Sequence, residues 1–384
     1  MNRRHFLTAA ALAPLAPAPA LAKAATPTRT RWSVRTSEAF DAYCFLQPLS
    51  GKPFYTRYYE AELAAFKPRL PADALAALDS LHKEAEAAGS LLGPSLCTIA
   101  SGGPDATLTQ AIDAVERAEA VLLASLKAGP YWDADSWSMF LGQRERLLSV
   151  LKALQAADFA GFRRTCIGAR DAARVPALSA RLGGLDVIAE QERLLGRPLE
   201  PTIEVILLWF SKPHGIRIQG QRFLTHIDYP DEVVLRNAAH EIFHPPFPMD
   251  GLAAKAALSV LGRDPLMTRI VAEHDPAFGY NSLEGVLNED TVQALEQIVS
   301  ERLGFANPAG PRWREADGGM HVLAAGLYGL MKAEGYDRTG GNLAHWTLAA
   351  ARSGKLSPKR LHAAAAAVLG LPADGLWTGK KPQA

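Results

Sequence analysis

Between residues 72 and 195 apolar side chains recur every three or four positions, the spacing of helices that bury one face. In ATLTQAIDAVERAEAVLLASLKAG, Leu108, Ile112, Val115, Ala118 and Leu122 form such a stripe. The pattern predicts a helix that starts at Thr107 or Thr109 and ends at Gly129-Pro130. The segments PADALAALDSLHKEAEAAGSLL and SWSMFLGQRERLLSVLKALQAADFAGF repeat the pattern without sustained heptads, which predicts a helical layer and no coiled coil. The stretch from 36 to 70 mixes aromatic and charged residues with weaker helical signals. At residue 202 the period changes. TIEVILLWF is a β-branched and aromatic run, and in GIRIQGQRFLTHI Ile216 and Ile218 alternate with Arg217 and Gln219, with Gly220 as a tight turn. Helical periodicity returns in LAAKAALSVL, LNEDTVQALEQIVSERLG, MHVLAAGLYGLMKAEG, NLAHWTLAAARSG and SPKRLHAAAAAVLGL. The expected class is α+β, predominantly helical, with one small sheet in the middle. The expected organisation is an N-terminal helical region at 25–195 and a second region at 196–384.

Composition narrows the picture. The 384 residues carry 41 basic and 40 acidic side chains. That balance argues against a nucleic-acid scaffold, which needs surplus Lys and Arg to neutralise phosphates. No stretch after the N-terminus approaches the roughly 20 apolar residues of a membrane span. The N-terminus, MNRRHFLTAAALAPLAPAPALAKA, has a basic head, a weakly apolar Ala/Leu/Pro stretch and small residues at Ala20-Leu21-Ala22 or Ala22-Lys23-Ala24. Arg3-Arg4 followed by Phe6 and Leu7 resembles a twin-arginine export signal. Residues 1–24 are therefore expected to be a signal peptide, and the mature chain to be periplasmic or secreted. Cys44, Cys97 and Cys166 allow at most one disulfide and are too far apart in sequence for a thiolate zinc motif.

The strongest chemical signal is NAAHEIFHPP at 237–246. Asp231 is a candidate N-cap, with Glu232 in the first turn where the helix dipole favours it. Val234, Ala238 and Ile242 recur every four residues and predict a buried face. Val233, Arg236, Asn237, His240 and His244 fall on another side. Side chains four apart lie one above the other, so the imidazoles of His240 and His244 can converge on one point. Neutral imidazoles suit Zn²⁺, and two of them leave room for a third protein ligand and a water. Glu241, rotated by about 100° on the helix, is placed to take a proton from that water without ligating. Pro245 and Pro246 end the helix at His244 or just after it.

A third ligand is sought downstream. In NSLEGVLNEDTVQALEQIVSERLG, Glu289, Val292, Glu296 and Val299 share one helical face, and a glutamate aligned with an apolar stripe is costly to bury unless it meets a cation. Glu284, Asp290 and Glu296 are the alternatives to Glu289, and His274 reads as a loop histidine. His-Glu-x-x-His followed by a downstream carboxylate resembles the gluzincins, a group of zincin metallopeptidases. With the E-D-x-V-x-A-L stretch it also resembles a family of exported, poorly characterised bacterial domains that look like gluzincins. The resemblance covers residues 200–305. It implies a zincin-like catalytic region, a zinc cofactor held by His240, His244 and Glu289, and Glu241 as general base acting on a peptide or protein substrate. The proline pair departs from the longer active-site helix of thermolysin-like enzymes. Where those enzymes place an aspartate that holds a zinc histidine, this chain has Gln293, whose carbonyl can do so; Asn237 is another candidate for that role. Tyr280, His321 and Tyr328 are candidate donors to a developing oxyanion. The strand Arg222–His226 is the expected sheet edge for a substrate peptide. The alternative reading is a non-catalytic exported binding protein of the cell envelope.

Overall fold

The computed structural model describes residues 28–129, 131–278 and 280–379. The expected signal peptide and Pro130 lie outside them. The chain is predominantly helical with a four-stranded sheet, an α+β arrangement. Strand β1 (Arg31–Thr36) leads into helix α1 (Glu38–Leu49), whose N-cap Ser37 accepts from the Phe40 backbone N–H. The N-terminal layer continues through α2 (Leu92–Ala100), α3 (Leu108–Glu116) and α4 (Ala134–Ala156). Strands β2 (Thr202–Leu208), β3 (Ile216–Ile218) and β4 (Arg222–His226) follow, then α5 (Asp231–Glu241), α6 (Leu283–Leu303) and α7 (Val322–Ala333). Among the described residues no helix is long and apolar enough to cross a membrane.

The sheet order is β1-β2-β4-β3. β1 and β4 both run parallel to β2, while β3 is antiparallel to β4 and forms one edge. Gly220, at φ +76°, makes the turn between β3 and β4, a backbone region that glycine enters without cost. Alternation along β2 divides the apolar residues between two cores. Ile203, Val205 and Leu207 pack with α5, α6 and α7, whereas Ile206 and Leu208 pack with α1 to α4. β2 is thus covered on one face by helices from the first 160 residues and on the other by the later helices together with Ile167, Leu178, Leu182, Val187, Ile188, Leu194 and Leu195 of the 25–195 region.

Three expectations change. β4 lies inside the sheet between β2 and β3, so Arg222–His226 is not the edge; that place belongs to β3. Asp231 is the first helical residue and not the cap, because Pro230 occupies the cap and the Asp231 carboxylate pairs with Arg174. The stripe from Leu108 to Leu122 is not one helix. Thr107 starts α3 with a capping box, but the segment is broken at Arg117 and Leu122 into Leu108–Glu116, Ala118–Val121 and Leu123–Ala128. Within the limit of at most one disulfide, the three cysteines are free thiols, with Cys44 and Cys97 sulfurs 3.7 Å apart in the N-terminal core.

Candidate metal centre

The local sequence of α5 places its two histidines at the very end of the helix. Val234, Ala238 and Ile242 are buried as the pattern requires. His240 lies in the last turn and His244 just beyond it, where the chain tightens: Phe243 N–H donates to His240 at 3.0 Å and His244 N–H to Glu241 at 3.4 Å. These three-residue spacings replace the helical four-residue ones. The carbonyls of Glu241 and His244 both accept from the Arg217 guanidinium on β3. An arginine on the sheet edge therefore caps the helix where Pro245 prevents its continuation.

The two rings face one another, with Nε2 atoms 3.0 Å apart. Glu289, on α6, presents Oε1 to His240 Nε2 and Oε2 to His244 Nε2, each at 3.5 Å. These three residues form a group able to hold a metal ion. Tetrahedral zinc with ligands at about 2.0–2.1 Å places those atoms about 3.3 Å from each other, and the observed triangle matches that size. The donor chemistry fits as well. His244 Nδ1 lies 3.2 Å from Asn288 Oδ1, an acceptor, so Nδ1 carries the proton and Nε2 turns a lone pair inward. The His240 and His244 side chains keep 19% and 21% of their exposure, so the centre is reachable from solvent, while Glu289 keeps 7%.

The electrostatics favour a positive charge within the triangle. Burial opposes a charge on His240, but the Glu289 carboxylate outweighs it and raises that imidazole to about 9. Burial, then the charge on His240, lowers His244 to about 4. Burial would raise the Glu289 carboxyl; the two histidines and Gln293 reverse this and hold it below the ordinary range. Burial and the neighbouring Glu289 charge raise the Glu241 carboxyl, against the opposing pull of His240 and Arg217. No hydrogen bond or ion pair to the Glu241 carboxylate is made among the described residues.

Of the alternatives to Glu289, none faces the histidines. Glu284 is exposed in the first turn of α6. Asp290 is buried against His321 at 2.6 Å and accepts from the Ala324 N–H, and Glu296 is paired with Arg312. His274 lies outside the group, its Nδ1 2.9 Å from the Ile270 carbonyl. Tyr280 has its ring 6.0 Å from that of His321, and its φ of +60° is a conformation rarely adopted by a residue of its size. Burial and then Glu289 raise its hydroxyl well above the ordinary value. His321 is enclosed by Asp290 and Asp317 and is 1% exposed, so it does not face a substrate. Tyr328 is turned away, its hydroxyl on Glu301. The Gln293 carbonyl faces Trp313 and not a ligand histidine, because Asn288 already occupies the outer nitrogen of His244. Asn237 lies against Gly215, at the start of the edge strand.

Sequence reasoning missed Arg217, Asn288, Trp313 and Tyr131, which packs beside Arg217 and senses the charge of Glu241. Asn288 adjoins Glu289 in sequence, so its neighbourhood was available. The other three come from distant segments and carry no local signal. Comparison with known proteins finds no matching family model, no matching curated protein and no matching solved structure.

Proposed function

We propose that the protein is an exported zinc-dependent hydrolase, a zincin-type metallopeptidase with a gluzincin-like ligand set of His240, His244 and Glu289. One observation carries the reading: three ligand atoms converge at zinc spacing beside a carboxylate, Glu241, that has no hydrogen-bond or ion-pair partner among the described residues. Bound zinc supplies Lewis acidity, lowering the pKa of a water and polarising a carbonyl. Glu241, kept basic enough by burial and by Glu289, accepts the proton of the attacking water and passes it to the leaving nitrogen. Tyr280, whose hydroxyl keeps its proton under burial and the charge of Glu289, is the candidate donor to the oxyanion that develops on the substrate. The antiparallel edge strand β3 offers a substrate peptide its backbone groups, and its Arg217 ties that edge to the end of the metal helix.

Substitution Glu241→Gln tests the assignment. The variant is expected to bind zinc as the wild type does and to lose turnover of casein or a mixed peptide library by about 10²–10⁴-fold. Cleavage at the wild-type rate would remove Glu241 from the mechanism. Absence of stoichiometric zinc in the wild type, after incubation with the metal and desalting, would remove the hydrolase reading itself.

A further inference from the structure

Behind Glu289 lies a buried chain of hydrogen bonds that the proposed reaction does not use. Gln293 follows Glu289 by one turn of α6 and is buried. Its Nε2 donates to Glu289 Oε1 at 2.9 Å, and its Oε1 accepts from Trp313 Nε1 at 2.8 Å. An indole N–H only donates. The amide oxygen must therefore face Trp313, and the amide nitrogen is left facing Glu289. Trp313 belongs to the helix Ala309–Glu315 and is fully buried, with its ring edge-on to Tyr328 at 5.5 Å. The indole cannot turn without disturbing that packing, so the direction of its N–H is fixed.

His321 does not compete for the amide. Both its nitrogens approach Gln293 Nε2, at 3.3 and 3.1 Å. Each also lies on a carboxylate, Nδ1 on Asp290 at 2.6 Å and Nε2 on Asp317 at 2.9 Å. With both ring N–H groups donating to those carboxylates, neither nitrogen has a lone pair for Gln293.

We infer that Gln293 is a positioning residue for the third ligand and that Trp313 acts through it. The amide holds Glu289 Oε1 from behind and fixes the carboxylate plane, so that both oxygens face the paired imidazoles. A buried carboxylate without that donor would turn to find another partner. The inference rests on the metal-site reading above, and the test separates the two.

Zinc affinity of the full chain is measured by chelator competition for the wild type, Q293M, W313F and the double variant, with thermal unfolding of each metal-free protein alongside. Q293M is expected to weaken zinc binding by about 10–100-fold, the usual cost of losing such a supporting partner. W313F should weaken it by a smaller factor, and the double variant should bind no more weakly than Q293M alone, because Trp313 has nothing left to orient. A purely structural role would lower the unfolding temperatures without this non-additivity. Wild-type affinity in Q293M overturns the proposal, as does a double variant whose loss equals the product of the two single losses. If Q293M does not fold, unchanged zinc affinity in W313F overturns it. A wild type that binds no zinc defeats the metal site and not merely its support.

Discussion

Two histidines with depressed basicity show how little residue type decides and how much the second ring nitrogen does. His244 has its outer nitrogen on Asn288 and turns the other inward, towards His240 and Glu289. His226, at the end of β4, accepts the Asp228 N–H on Nδ1 and packs between Trp209 and Tyr229, 1% exposed. Burial, followed by the charge of Lys212, lowers His226 to about 3. The folded protein thus keeps His226 neutral at pH values where the unfolded chain, near 6.5, takes up the proton. Its contribution to stability is complete above pH 6.5 and is lost as the pH falls towards 3, with a slope of up to about 1.4 kcal/mol per pH unit. Urea unfolding of the wild type and His226→Phe between pH 4.5 and 7.5 checks this: the variant should show the shallower dependence, and equal slopes would assign the acid sensitivity elsewhere. At this scale the histidine pair and Glu289 were legible in the sequence, because helical spacing alone brings i and i+4 together and an acidic residue in an apolar stripe asks for a cation. The amides were not legible. Whether Gln293 faces a histidine, a glutamate or an indole depends on Trp313, twenty residues away on another helix.

The helix that carries the histidines ends where it does because of its prolines, yet the end is stabilised by a different element. Pro245 offers no N–H at the helical spacing, so the Glu241 carbonyl has only the long 3.4 Å bond from the His244 N–H, and both it and the His244 carbonyl turn to Arg217 on β3. Hydrogen bonds to a charged group are worth about 1.5–3 kcal/mol, so Arg217→Met is expected to cost about that much in urea unfolding. It should also weaken zinc binding, since His244 loses the anchor of its own backbone. Full zinc affinity in that variant would show that the turn holds His244 without help from the sheet. The strands β2 and β4, the turn at Gly220 and most of the long helices after residue 250 were readable from period and composition, because their apolar runs are long enough to show. β1 was not. RWSVRT is six residues long, only partly buried, and owes its form to pairing with β2 some 170 positions later. The edge assignment failed for the same reason: which strand of the β3–β4 hairpin lies outermost is set by β2 choosing β4 as its neighbour.

On the scale of the whole molecule the sheet serves two cores, and this makes the two sequence regions dependent on each other. On the face towards the N-terminal helices, Ile206, Leu208, Phe210, Ile216, Ile218 and Leu224 are buried against residues such as Phe45, Leu96 and Leu126. Each side chain of this size contributes about 1.5–3 kcal/mol when removed from water, so this face alone is worth on the order of 10 kcal/mol. That is comparable with the whole stability of an ordinary domain, about 5–15 kcal/mol. β1 adds a second tie, since its backbone closes the free side of β2 along six paired residues. A fragment covering 196–384 retains His240, Glu241, His244 and Glu289 but exposes the apolar face and the open strand together. Expressed alone, it is expected to aggregate or to unfold without a cooperative transition, and to bind zinc no better than an unstructured chain with the same ligands. Adding back residues 28–195 as a separate polypeptide should restore both the transition and the affinity, if the sheet is what couples them. A fragment that melts cooperatively by itself and holds zinc as tightly as the full chain would place the whole requirement for the metal centre within α5, α6 and their own core, and would leave the N-terminal layer free for some other task.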